Sequence, residues 1–264
     1  MTEHLNVVLH EGEGPLALVI HGALGSRSYW NDNIKALQAV CRPAVIELWG
    51  HGNSPSPSDS RRFEPSGYIE EFERICQQNS SEKVWLIGQS MGAALALHYA
   101  STYPGRVSGL VITNSASAFA DPMVWQKRNR SMIAKVADQV ENEGVESLRD
   151  SWINPGRSKR ILPATLACLS TEFSRHTQAG IAGSFRITNY SLPLGDLLAT
   201  IDQPTLLTNG VHEERFQEHL PRARLIPNLE IIDLPASHAV NAHDPEGWNT
   251  AATTFIRQHE TKSV

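Results

Sequence analysis

Pro15-Leu16-Ala17-Leu18-Val19-Ile20 is apolar at every position. The run is too short for a core helix and too continuous for a strand with one face in water. Such a segment is buried on both faces, as strands of a parallel sheet are. Residues 43–48, 83–88, 107–113, 203–210 and 229–234 carry further apolar, β-branched runs of this kind. Residues 5–10 form a first strand, separated from 15–20 by the turn Glu11-Gly12-Glu13-Gly14. Helical stretches fall between the strands at 30–38, 67–78 and 92–103, and a last helix spans 245–258. Strand and helix in alternation imply βαβ units and an α/β class with a mostly parallel sheet.

The alternation stops near Ala116. From there to about Leu194 no strand is expected, and the segments 123–142, 144–153, 163–175 and 177–187 read as helices. The chain therefore divides into one core, residues 1–116 and 195–264, and a helical insert, 117–194. A chain of 264 residues can bury one large core and carry such a second lobe. The Pro- and Ser-rich stretch 53–66 is a surface loop.

A net charge of −5 and a pI near 6.1 leave no basic surface for nucleic acid. No apolar run approaches the ~20 residues of a membrane helix, and the start of the chain has no basic segment leading into an apolar one. Cys41, Cys76 and Cys168 are scattered, with no C-x-x-C spacing, so neither a disulfide framework nor a zinc site is expected. These features predict a cytoplasmic protein, a monomer or homodimer, with a small-molecule substrate and neither nucleic acid nor membrane as partner.

Gly88-Gln89-Ser90-Met91-Gly92 has the form G-x-S-x-G. The bare pattern arises by chance in about one chain of this length in ten, so its context decides. An apolar strand precedes it and an alanine-rich helix follows, as a serine at the tip of a strand-to-helix turn requires. Glycines on either side let strand and helix approach while Oγ projects. Ser90 is the expected nucleophile, and the Met91 N–H at the helix start is an oxyanion donor. A second donor must come from a neighbouring loop. His21-Gly22-Ala23, at the end of strand 15–20, supplies the Ala23 N–H, with His21 locking the turn.

Among eleven histidines, His238 lies beyond the last strand and before the last helix, at the rim where α/β sheets bind ligands. It is the expected general base. His51 and His243 also sit near the rim; His4, His10, His98, His176, His219 and His259 read as surface or packing residues. Gly210-Val211-His212-Glu213-Glu214 offers the acid that orients the imidazole. Glu213 is preferred and Glu214 is the alternative. Two exposed glutamates at a helix start remain the plain reading of that pair.

In this order the motifs resemble those of the α/β-hydrolase superfamily over nearly the whole chain. His21-Gly22…Gly25 resembles its oxyanion motif, Gly50-His51-Gly52-Asn53-Ser54 the G-x-G-x-S after the next strand, and Gln203-Pro204-Thr205-Leu206-Leu207 the strand before the acid. Ala236-Ser237-His238-Ala239-Val240-Asn241 resembles the catalytic-histidine segment, here most like that of small carboxylesterases and enol-lactonases. The chain departs in carrying Glu where the family acid is usually Asp, and Glu47 where an Asp is usual. The resemblance implies an α/β-hydrolase fold, a helical cap formed by the insert, and hydrolysis of a carboxylic ester or lactone through an acyl-enzyme without metal or organic cofactor. Carbon–carbon hydrolases, lyases, thioesterases and non-catalytic receptors are the rival uses of the same set. Leu24, Gln89, Trp125 and Val240 are expected to line the substrate pocket. Arg128, Arg130 and Arg186 of the insert offer charge for a substrate carboxylate, though a solvated face is their simpler role. Activity is expected to rise with pH as His238 loses its proton near ~6.5.

Overall fold

The computed structural model describes residues 3–260, so residues 1–2 and 261–264 at the ends of the expected core lie outside the described residues. Seven strands form one sheet: β1 (Asn6–Leu9), β2 (Leu16–Ile20), β3 (Arg42–Glu47), β4 (Val84–Gly88), β5 (Val107–Thr113), β6 (Thr205–Gly210) and β7 (Leu229–Leu234). Their order is β1-β3-β2-β4-β5-β6-β7. Only β1 runs antiparallel, against β3; the remaining pairs are parallel. The turn at 11–14 is therefore no hairpin: β3 inserts between the strands that flank it.

Every residue of the central strands β2 and β4 is buried, whereas the edge strand β7 exposes three of its six residues. Strand side chains alternate between faces, and two separate cores record it. Leu16, Leu18, Ile20, Val84 and Leu86 pack with Phe72 of α2 (Pro65–Gln78) and Leu95 of α3 (Met91–Thr102). Ala17, Val19, Trp85 and Ile87 pack on the other face with Leu37 of α1 (Asn31–Leu37). Trp248 and Phe255 of the last helix complete that second core. Replacing the fully buried Trp85 by Ala would cost about 3–5 kcal/mol.

Between β5 and β6 the chain is helical. It forms α4 (Ala116–Phe119), α5 (Pro122–Glu143), α6 (Pro163–Phe173) and α7 (Gln178–Gly183), then a π-helical turn over Ser184–Asn189. Asp121 caps α5 by accepting the Val124 N–H at 3.0 Å, and Gly144 at φ 82° ends it. Ile133, Ala137 and Val140 share one face of α5 and pack on Phe173, Ile181 and Phe185 in a third, smaller core. Leu24 joins that core from the loop after β2.

The helix expected over 144–153 is absent. Only a 3-10 turn, Val145–Leu148, forms there. The stretch beyond it has no continuous face to bury, and Trp152 is 75% exposed. The helix expected over 177–187 is α7 continued by the wider π turn. After β6 come α8 (Glu214–Gln217) and α9 (Leu220–Ala223), and after β7 come α10 (Val240–His243) and α11 (Pro245–Glu260). Among the described residues no helix is long and apolar enough to cross a membrane.

Candidate active site

Ser90 stands between β4 and α3 at φ 53°, ψ −113°. A side chain in this left-handed region costs of order 1–3 kcal/mol, a strain that clusters at functional sites. The turn closes because two glycines lack a Cβ. On Gly92 a Cβ would fall 2.3 Å from the Ile20 carbonyl oxygen; on Gly22 it would fall 2.2 Å from Gln89 Oε1 and 3.0 Å from Ser90 Cβ. The loop after β2 is thus pressed against the serine. Met91 follows the serine directly and Ala23 follows Gly22, so their N–H groups belong to the two segments that meet here.

The loops after β5, β6 and β7 meet at the same rim. His238 Nδ1 lies 2.8 Å from Glu213 Oε1, and Asn114 Nδ2 donates to Glu213 Oε2 at 2.8 Å. Asn114, fully buried at the end of β5, also donates to the Gly210 carbonyl and accepts the Gly210 N–H. Its neighbour Ser115 donates its hydroxyl to the Ser90 carbonyl at 2.8 Å. Adjacent residues of one strand end therefore brace both the serine turn and the carboxylate. Gln89 adds a third link, Nε2 donating to the His238 carbonyl at 3.4 Å.

Burial works against the charge of Glu213, but the hydrogen bond and charge of His238, with the Asn114 bond, outweigh it and hold its pKa below the ordinary value. An ionised carboxylate only accepts, so His238 Nδ1 carries the proton and Nε2 is the basic nitrogen. Desolvation pulls His238 down; the hydrogen bond and charge of Glu213 more than offset it and raise its pKa above the ordinary imidazole value. The sequence reading placed that value unshifted. Of the two candidate acids, Glu213 turns inward while Glu214, the first residue of α8, is exposed.

His21, His51 and His243, the other rim histidines, are tied into the framework. His21 Nδ1–H donates to the Gly22 carbonyl and Nε2 accepts the Leu48 N–H. His51 accepts the Leu24 N–H. His243 accepts the Ser237 N–H and bonds Ser158 of the insert. Leu24, Gln89 and Val240 are all buried beside the rim, whereas Trp125 donates its indole N–H to the Asn189 carbonyl, within the insert. Arg186 pairs with Asp138 and Glu141, and Arg128 stands 3.9 Å from Glu218.

Asn114 and Ser115 were not singled out from sequence; polar residues directly after an apolar strand, at its C-terminal end, were the available signal. A surface cavity of about 500 Å³, between β7 and α11, is lined by Glu230, Ile232, Phe255 and their neighbours and by none of the site residues. Among the described residues no group of three or more His, Cys, Asp or Glu side chains is placed to hold a metal ion.

A family model for the alpha/beta hydrolase fold matches residues 15–143. The "Putative 2-succinyl-6-hydroxy-2,4-cyclohexadiene-1-carboxylate synthase" of Bacillus subtilis (strain 168) is 27% identical over 260 residues, covering 92% of each protein. Among solved structures, MenH from S. aureus superposes with a TM-score of 0.82 at 20% identity, over 98% of this chain and 100% of that one. The enol-lactonase from Burkholderia xenovorans LB400 superposes with a TM-score of 0.77 at 20% identity, over 96% of each chain.

Proposed function

The chain belongs to the α/β-hydrolase superfamily, and from that premise we propose that it is a serine hydrolase cleaving a carboxylic ester or lactone of a small molecule through Ser90, His238 and Glu213. The observation that carries the reading is the 2.8 Å pairing of His238 Nδ1 with Glu213, whose other oxygen Asn114 holds, at the rim of a strained serine turn.

In this mechanism Ser90 Oγ passes its proton to His238 Nε2 as it attacks the carbonyl carbon. The negative charge that develops on the carbonyl oxygen is met by the N–H groups of Ala23 and Met91, at the start of α3, where the helix dipole adds to them. Collapse of the tetrahedral adduct expels the alcohol, which takes the proton from Nε2. Water then repeats the sequence on the acyl-enzyme and releases the acid. Glu213 accepts a hydrogen bond from Nδ1–H throughout and stabilises the imidazolium. The insert 117–194 serves as the cap over this rim and sets which acyl and alcohol groups fit.

A second reading is favoured by the relative of similar length that is named as a synthase. There the Ser90–His238 pair would remove a proton from carbon rather than attack a carbonyl, and no acyl-enzyme would form. A fluorophosphonate probe should label Ser90, and a panel of short esters and lactones should release product at a rate lost in Ser90→Ala. Absence of Ser90-dependent product from that panel, with the probe still bound, would move the assignment to the second reading; absence of labelling in folded protein would defeat both.

A further inference from the structure

Three imidazoles lie in a buried row beneath the loop after β2. The ring centroids of His21 and His51 are 5.1 Å apart, as are those of His51 and His176. The first two belong to the core; His176 comes from the insert, between α6 and α7. Each ring uses one nitrogen to donate and the other to accept. His21 donates to the Gly22 carbonyl at 2.7 Å and accepts the Leu48 N–H at 3.1 Å. His51 donates to the Trp49 carbonyl at 2.9 Å and accepts the Leu24 N–H at 3.2 Å. His176 accepts the Gly52 N–H at 3.0 Å and donates to the Leu24 carbonyl at 3.2 Å.

A peptide unit is planar, so holding either its carbonyl or its N–H fixes both. The carbonyl of Gly22 shares a plane with the N–H of Ala23, the N–H of Leu24 with the carbonyl of Ala23, and the carbonyl of Leu24 with the N–H of Gly25. His21, His51 and His176 thus hold three successive peptide planes of one turn. Leu24 at their centre sits at φ 55°, where a side chain is strained, and is only 2% exposed. Buried polar groups on such a residue need partners to stay where they are.

We propose that His176 is a positioning residue for the oxyanion hole: the insert, through this side chain, completes the three-histidine clamp that aims the Ala23 N–H at the Ser90 carbonyl adduct. The inference rests on the hydrolase reading above. It explains why His176, packed on Phe173 with ring centroids 5.3 Å apart, reaches out of the insert to the core backbone. It also makes the hole conditional on the insert being seated, since Thr177 N–H donates to the Gly50 carbonyl at 2.8 Å beside it. The rings stay neutral while His238 works: burial first, with the neighbouring histidines, holds His51 well below the ordinary value, and burial holds His21 and His176 at about 4, against the weaker pull of Glu172. Glu172, the acid whose charge acts on His21 and His176, is itself engaged by Ser26 and Arg27.

The test is a pair of polar substitutions with opposite reach. In His176→Gln the amide nitrogen reaches the place of Nε2 and keeps a donor for the Leu24 carbonyl. In His176→Asn the side chain ends at the place of Nδ1 and keeps only the Gly52 contact. With an ester that wild type turns over through Ser90, His176→Asn should lower kcat roughly 10- to 100-fold with KM within about twofold, as a misplaced oxyanion donor does. His176→Gln should recover most of that loss. The preference for an ester over its thionoester, whose sulfur accepts poorly from N–H, should fall in the Asn variant and hold in Gln. Equal kcat in Asn and wild type, or equal losses in both variants with the thionoester preference unchanged, would overturn the inference alone. Absence of Ser90-dependent ester turnover in wild type would overturn the proposed function, and this role with it.

Discussion

His238 and the row formed by His21, His51 and His176 place the same side chain in opposite settings within one fold. The row is buried and both nitrogens of each ring are bonded to backbone, so desolvation dominates and the imidazoles stay neutral. His238 is half-exposed and bonded to an ionised Glu213, so its pKa rises. The histidines that hold backbone are kept from titrating by burial; the one that carries a proton in the proposed mechanism is given a carboxylate. The difference lies in partners rather than in residue type, and it can be tested as such.

The largest expected effect breaks the active half of that contrast. His238→Gln should reduce Ser90-dependent turnover by about 10⁴-fold or more, and Glu213→Gln by about 10³- to 10⁴-fold, measured as kcat on one ester. Glu214→Gln should stay within about twofold. A reversed ranking of the two glutamates would transfer the acid role.

The next effect concerns stability in acid. For His21 and His176 the unfolded chain binds more protons than the folded one between about pH 6.5 and 4, so unfolding free energy falls as pH falls through that window. A shift of that size is worth about 3 kcal/mol per histidine once the pH is below both values. His176→Gln has nothing to titrate, so denaturant melts at pH 7 and pH 4.5 should differ less for it than for wild type. An unchanged difference would mean that the ring is not held neutral. His238 has the opposite sign: its raised pKa contributes stability below about pH 6.5, lost as pH rises through the folded value.

The smallest effect is on the pH profile of kcat/KM. In the proposed mechanism turnover needs neutral His238, so the acid limb should fall above the ordinary imidazole value, and the residual activity of Glu213→Gln should show that limb moved to lower pH. A limb at the same pH in both proteins would show that Glu213 does not set the His238 pKa.

The sheet was legible because burial on both faces leaves its mark locally, in runs such as Leu16–Ile20 and Val84–Gly88. The serine turn was legible for a similar reason, since its steric demands fall within five consecutive residues. Glu213 and Glu214 could not be separated by spacing; what separates them is the start of α8, which sends one inward and leaves the other in solvent. His176 was grouped with surface and packing residues because its partner Leu24 lies 152 positions away, and no periodicity reports a contact of that kind. The segment 144–153 misled for a different reason. It has helical composition, but Gly144 turns the chain and Trp152 stays 75% exposed, with only the Arg215 guanidinium recorded over its ring among the described residues.

The backbone angles of Ser90 carry a consequence for anyone who sorts variants of this chain by robustness. Glycine occupies φ 53° without a clashing Cβ, so Ser90→Gly should relieve about 1 kcal/mol net of the backbone entropy that glycine adds to the unfolded state. For a chain of this length that is a melting temperature about 2–4 °C higher, read by calorimetry; a lower one would mean that the turn stores no strain. Heat challenge alone, applied to a mutant library, would therefore enrich molecules that have lost the Ser90 hydroxyl. Screens for hardier versions of this protein have to read chemistry in the same round as survival.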